Sequence, residues 1–119
     1  MNRIEIVKIL LRAEGIELNQ PTNNGATPLS VASENGHVEI VRILLGVEGI
    51  QVNTSTKQGV TPLFMASQNN HIEIVKLLLG VEGIEINQTL NNGATPLAMA
   101  KHKKHTEIVH LLTAAGATK

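Results

Sequence analysis

The side chains best able to do chemistry in this 119-residue chain are five histidines and ten acidic residues. His37, His71 and His105 stand 34 residues apart. Histidines in phase invite a metal-ligand or acid–base reading. Ligands of one ion must each lie about 2 Å from it, whereas one histidine per helix layer puts neighbours about 10 Å apart. The three are therefore expected to be structural, each capping a helix and bonding backbone. His105, Glu107 and His110 have the residue types of a zinc-protease helix. Those two histidines are i and i+5, about 140° apart around a helix, so they do not converge. No metal and no cofactor are expected.

Other chemistries lack their residues. The chain contains no Cys, Trp or Tyr, and Phe64 is its only aromatic. All its acidic residues are Glu, so an aspartate dyad or a Ser-His-Asp triad cannot be built. The glycines of Gly46–Gly49 and Gly80–Gly83 are not followed by the Lys-Ser/Thr of a phosphate-binding loop. The formal charge is zero, which argues against a phosphate-backbone binder. Lys101, His102, Lys103, Lys104 and His105 form a basic cluster, but no aromatics interleave for base stacking. A wettable end of the array is the favoured reading, and no nucleic acid is expected. No apolar run approaches the roughly 20 residues that span a bilayer, so no membrane is expected. The start of the chain, with Glu5 and no apolar core, does not read as a secretion signal. Lack of cysteine suits a reducing compartment, and the cytoplasm is the expected location. Asn53-Thr54-Ser55 and Asn87-Gln88-Thr89 match the glycosylation pattern, incidentally on this view.

The elements that carry these side chains are set by a repeat. Thr27-Pro28-Leu29 recurs at Thr61-Pro62-Leu63 and Thr95-Pro96-Leu97, and Gly25, Gly59 and Gly93 keep the same phase. The segments 37–45, 71–79 and 105–112 align as His-x-Glu-Ile-Val-x-x-Leu-Leu, and residues 3–11 resemble them. A fixed period of this size means a stacked array. We divide the chain into a half repeat, 1–20, and repeats 21–54, 55–88 and 89–119 of a single domain.

Each unit has a physical reading. Threonine sits where an N-cap belongs and proline occupies the first helical position. A short helix follows, ended at Gly36 by a left-handed residue. Asn70 and Lys104 hold the matching positions, and Lys104 there carries strain of about 1 kcal/mol. A second helix runs to about Leu45. Val38, Ile40, Val41, Ile43, Leu44 and Leu45 cover most of its circumference, so it must be buried on several sides. Gly46 and Gly49 break it, and Asn-Gly or Gln-Gly tips such as Asn24-Gly25 predict tight turns with positive φ.

With these motifs in phase over nearly the whole chain, the sequence resembles the ankyrin repeat family. The resemblance implies an all-α solenoid of stacked antiparallel helix pairs with projecting loops. It departs from the family pattern in three ways. The family's His after Thr-Pro-Leu, bonded to the threonine hydroxyl, is replaced by Ser30, Phe64 and Ala98. The Asp near the loop start is replaced by Thr22, Thr56 and Leu90, leaving the loop bonds without their usual acceptor. The period is 34 where 33 is usual, with the extra residue in connections such as Gly46–Ile50, away from the helices.

The resemblance implies a protein-interaction module that is not an enzyme. It would bind a protein partner through the loop tips and the concave first-helix face. By alignment with the family, that surface comprises Pro21, Asn23, Asn24, Ala26, Glu34 and Asn35 in the first full repeat. Ser55, Lys57, Gln58, Val60, Gln68 and Asn69 follow in the second. Thr89, Asn91, Asn92, Ala94, His102 and Lys103 follow in the third. Phe64 occupies an inward family position and is expected in the core. A structural segment or consensus scaffold without a natural target is the alternative; the near-identity of the copies suits consensus design and recent duplication alike. At the N-terminal end no first helix covers Ile4, Val7 and Leu11. A piece excised from a longer array, or a monomer that self-associates weakly at this end, is therefore expected.

Overall fold

The computed structural model of the chain describes residues 24–118. The half repeat 1–20, with the self-association expected at its N-terminal end, and Pro21 and Asn23 lie outside the described residues. Six helices occur among the described residues, with no strand. They are α1 (Pro28–Asn35), α2 (Val38–Leu45), α3 (Pro62–Gln68), α4 (Ile72–Leu79), α5 (Pro96–His102) and α6 (Thr106–Ala114). The first helix of each pair packs on its own second helix and on the first helix of the next pair, and α2, α4 and α6 form a second row. Two rows of helices, joined within each pair by a short turn and between pairs by the longer segments 46–61 and 80–95, give the all-α stack that the period requires.

The first helices start as their sequence dictates. Thr27, Thr61 and Thr95 are extended N-caps whose hydroxyls accept from the backbone N–H of Ser30, Phe64 and Ala98 at 3.2, 3.1 and 3.0 Å. Proline occupies the first turn in all three. Ser30 adds a reciprocal pair. Its hydroxyl accepts from Thr27 N–H at 2.8 Å and donates to Thr27 O at 2.9 Å. Phe64 and Ala98 have no group that could copy this. The turn after each first helix is left-handed, with φ of 76° at Gly36, 60° at Asn70 and 63° at Lys104. The strain expected at Lys104 is therefore present in the backbone.

The core lies between the two rows. Leu29, Val41, Leu44, Leu63, Ile74, Val75, Leu78, Leu97, Ile108 and Leu112 are all buried in it. The other apolar side chains of the second helices, Val38, Ile40 and Leu45 among them, pack against it partly buried. Phe64 is 1% exposed, as its inward position implied.

Adjacent repeats are tied at three levels. At the loop tips, Lys57 N–H donates to Asn24 O at 2.9 Å and Asn91 N–H to Gln58 O at 2.8 Å. At the connections, the Asn53 side chain donates to Gly83 O at 2.9 Å and accepts from Glu85 N–H at 2.8 Å. The Asn87 side chain accepts from Thr118 N–H at 3.0 Å. Both asparagines of the glycosylation pattern thus have structural roles, and Asn53 spends its amide nitrogen, the atom a glycan would join, on the next repeat. The third tie is made by the histidines.

Candidate functional site: the loop and first-helix face

The periodic histidines stand at the N-cap positions of α2, α4 and α6, but none makes a side-chain capping bond. The capping role expected of them is corrected in this respect. His71 Nε2 lies 2.9 Å from Glu34 O, and His105 Nε2 lies 3.0 Å from Gln68 O. A carbonyl only accepts, so this nitrogen carries the proton in both. The acceptors belong to the last turn of the preceding repeat's first helix, where carbonyls lack intrahelical partners. Each histidine therefore seals the helix before it and sets the register between repeats. Gly36 makes room: a Cβ there would come within 2.8 Å of the His71 ring. Among the described residues no group of three His or Glu side chains could hold a metal ion.

The loops carry their hydrogen bonds without aspartate. The Thr56 hydroxyl accepts from Val60 N–H at 3.2 Å, closing the second loop. The Leu90 side chain cannot accept, and in its loop the Asn92 side chain takes Ala94 N–H instead, at 3.0 Å. Asn24 does the same for Ala26 N–H at 3.2 Å.

Every expected surface residue within the described range is at least partly exposed. Asn24, Glu34, Asn35, Lys57, Gln58, Asn69, Thr89, Asn91, Asn92, His102 and Lys103 are exposed; Ala26, Ser55, Val60, Gln68 and Ala94 are intermediate. Several of the asparagines also hold the structure together. Asn35 donates to Val31 O at 3.0 Å, Asn69 to Glu34 O at 3.0 Å, and Asn91 to Lys57 O at 2.7 Å. Lys57, Gln58, Gln68, His102 and Lys103 have side chains not spent on such bonds among the described residues. Five of the expected residues, Asn24, Ala26, Glu34, Gln58 and Val60, line one hollow of about 180 Å³ between the loop tips and the first helices. Its lining includes Met65, which sequence reasoning missed. Met65 shares its register with Val31, which is 41% exposed, and with the partly exposed Met99. The available signal was the position itself, apolar yet about 160° around the helix from Leu63 and about 100° from Ala66.

The C-terminal end of the stack has its own chemistry. Ser33 and Ser67 are 0% exposed and their hydroxyls have no hydrogen-bond partner. Lys101 holds the same register in the last repeat and is exposed. Lys101, His102, Lys103 and Lys104 are all exposed.

A family model described as ankyrin repeats matches the chain in three copies, over residues 1–90 and 52–119. No curated protein matches it. Among the described residues no helix is long and apolar enough to cross a membrane.

Proposed function

Since the chain belongs to the ankyrin repeat family, whose members are generally non-enzymatic protein-interaction modules, we propose that it binds a protein partner through its loop tips and first-helix face. The hollow lined by Asn24, Ala26, Glu34, Gln58, Val60 and Met65 supports this reading most directly. It joins polar tips able to orient a ligand to the adaptable apolar side chain of Met65. The tip-to-tip hydrogen bonds hold that shape in advance, so a partner meets a preformed surface and loses little in ordering it.

Selection from a random peptide library on the immobilised chain tests the proposal. Enriched peptides should lose at least about tenfold in affinity against a Gln58→Ala, Met65→Ala variant, equivalent to about 1.4 kcal/mol. They should be indifferent to Glu39→Ala with Glu73→Ala on the opposite row. Peptides that follow Glu39 and Glu73, or no enrichment at all, would overturn the proposal; the second result would favour a scaffold without a target.

A further inference from the structure

The formal charge of zero conceals a separation of charge across the stack. Among the described residues, the loops and first helices carry Lys57, Lys101, Lys103 and Lys104 against the single acid Glu34. The second helices and the connections carry Glu39, Glu48, Glu73, Glu82, Glu85 and Glu107 against Arg42 and Lys76. Both of those cations are already matched, Arg42 by Glu39 at 3.7 Å and Lys76 by Glu73 at 3.5 Å. None of the four lysines on the other side forms an ion pair among the described residues. Among the described residues the loop and first-helix row is thus basic, with three of its four lysines in the last repeat, and the second-helix row is acidic; the hollow lies on the basic row.

The separation also has a direction along the stack. At one first-helix register the residue is Glu34, then Gln68, then His102; at the next it is Asn35, then Asn69, then Lys103. Lys103 grows from the position at which the Asn69 side chain reaches the carbonyl of Glu34, so it flanks the same face. Between these charges runs the row Val31, Met65 and Met99, partly exposed throughout.

We infer that the segment docking on this face is an acidic, apolar-studded stretch of a partner protein, with its carboxylates over Lys57 and the Gln68–Lys103 end and its apolar side chains on the Val31–Met65–Met99 row. The inference rests on the reading of this face as a docking surface. Opposite charge steers the partner to the correct side of the molecule, while the acidic second-helix side repels it. The row supplies apolar contact, and Glu34 sets the polarity by repelling carboxylates from the first full repeat. Three first helices at 8–10 Å spacing span about 20 Å, the length of about six or seven extended residues.

A labelled synthetic peptide of about ten residues, alternating Leu and Glu, tests this by fluorescence anisotropy against the full chain. Its counterpart with Lys for Glu and a single-stranded oligothymidylate serve as rival probes. The acidic peptide should bind more tightly than both, and its affinity should fall as salt rises. Lys57→Glu and Lys103→Glu, on separate repeats, should each weaken it at least about threefold, Met65→Ala should weaken it, and Glu34→Gln should tighten it. Equal or tighter binding of the Lys peptide, still sensitive to Met65→Ala, would overturn the acidic assignment and leave the docking face standing. Binding of the acidic peptide indifferent to Met65→Ala would overturn both. Tighter binding of the oligonucleotide would assign the lysines to nucleic acid instead.

Discussion

Replacing Phe64 with alanine is expected to destabilise the domain by about 3–5 kcal/mol. Phe64 is 1% exposed and is the chain's only aromatic side chain. Its register neighbours, Ser30 and Ala98, are small, so neither can grow into the space a missing ring would leave. The cost therefore combines lost transfer of the ring from water with a cavity that stays open. Against a total stability of about 5–15 kcal/mol, this is a large fraction. The chain has no Trp or Tyr to report unfolding by fluorescence. Far-UV circular dichroism in urea is the suitable measurement. An unchanged midpoint would show that Phe64 is not a core residue. It would reopen the reading of that ring as a partner contact.

Gly59→Ala is expected to cost about 3 kcal/mol, and Gly93→Ala only about 1–2. The two glycines share the loop position and nearly the same backbone, with φ of 90° and 88°. They differ in what a Cβ would meet. At Gly59 it would fall 2.9 Å from Thr89 O, 3.0 Å from Leu90 Cα and 3.1 Å from Asn91 N, all backbone of the next loop. At Gly93 nothing lies within 4 Å. Gly93→Ala thus measures conformational strain alone. Gly59→Ala adds separation of the loops, which weakens the bond from Asn91 N–H to Gln58 O, a further loss of about 1 kcal/mol. Paired urea titrations give the difference directly. Equal losses would mean that the loops do not press on each other as described.

The parts of this structure that were legible in the sequence are those governed by local rules. Threonine before proline, glycine after asparagine and a left-handed residue before each histidine declare the helix starts, tips and ends within a few residues of chain. Phe64 was placed in the core by its position in the repeat. The ties between repeats were not legible. The acceptor for His71 is Glu34 O, 37 residues away, and nothing near His71 distinguishes a histidine that caps its own helix from one that seals its neighbour's. The acceptors of the loop bonds are not legible for a related reason. The missing aspartate was visible, but that Thr56 and Asn92 would take its place depends on loop geometry. Met65 is not legible because an apolar residue inside a repeated motif reads as core. The charge separation stayed hidden because net charge is a sum, and only the assignment of each lysine and glutamate to a row of helices reveals it.

The repeats must stand side by side in register for the loop and first-helix face to exist at all. The chain has no native cysteine, so Asn35→Cys with Lys103→Cys would carry the only two spin labels. These positions share a register two layers apart, and at 8–10 Å per layer an electron–electron distance of about 20–30 Å, arms included, is expected as a single narrow peak. A broad distribution, or a peak beyond about 40 Å, would contradict the stacked arrangement.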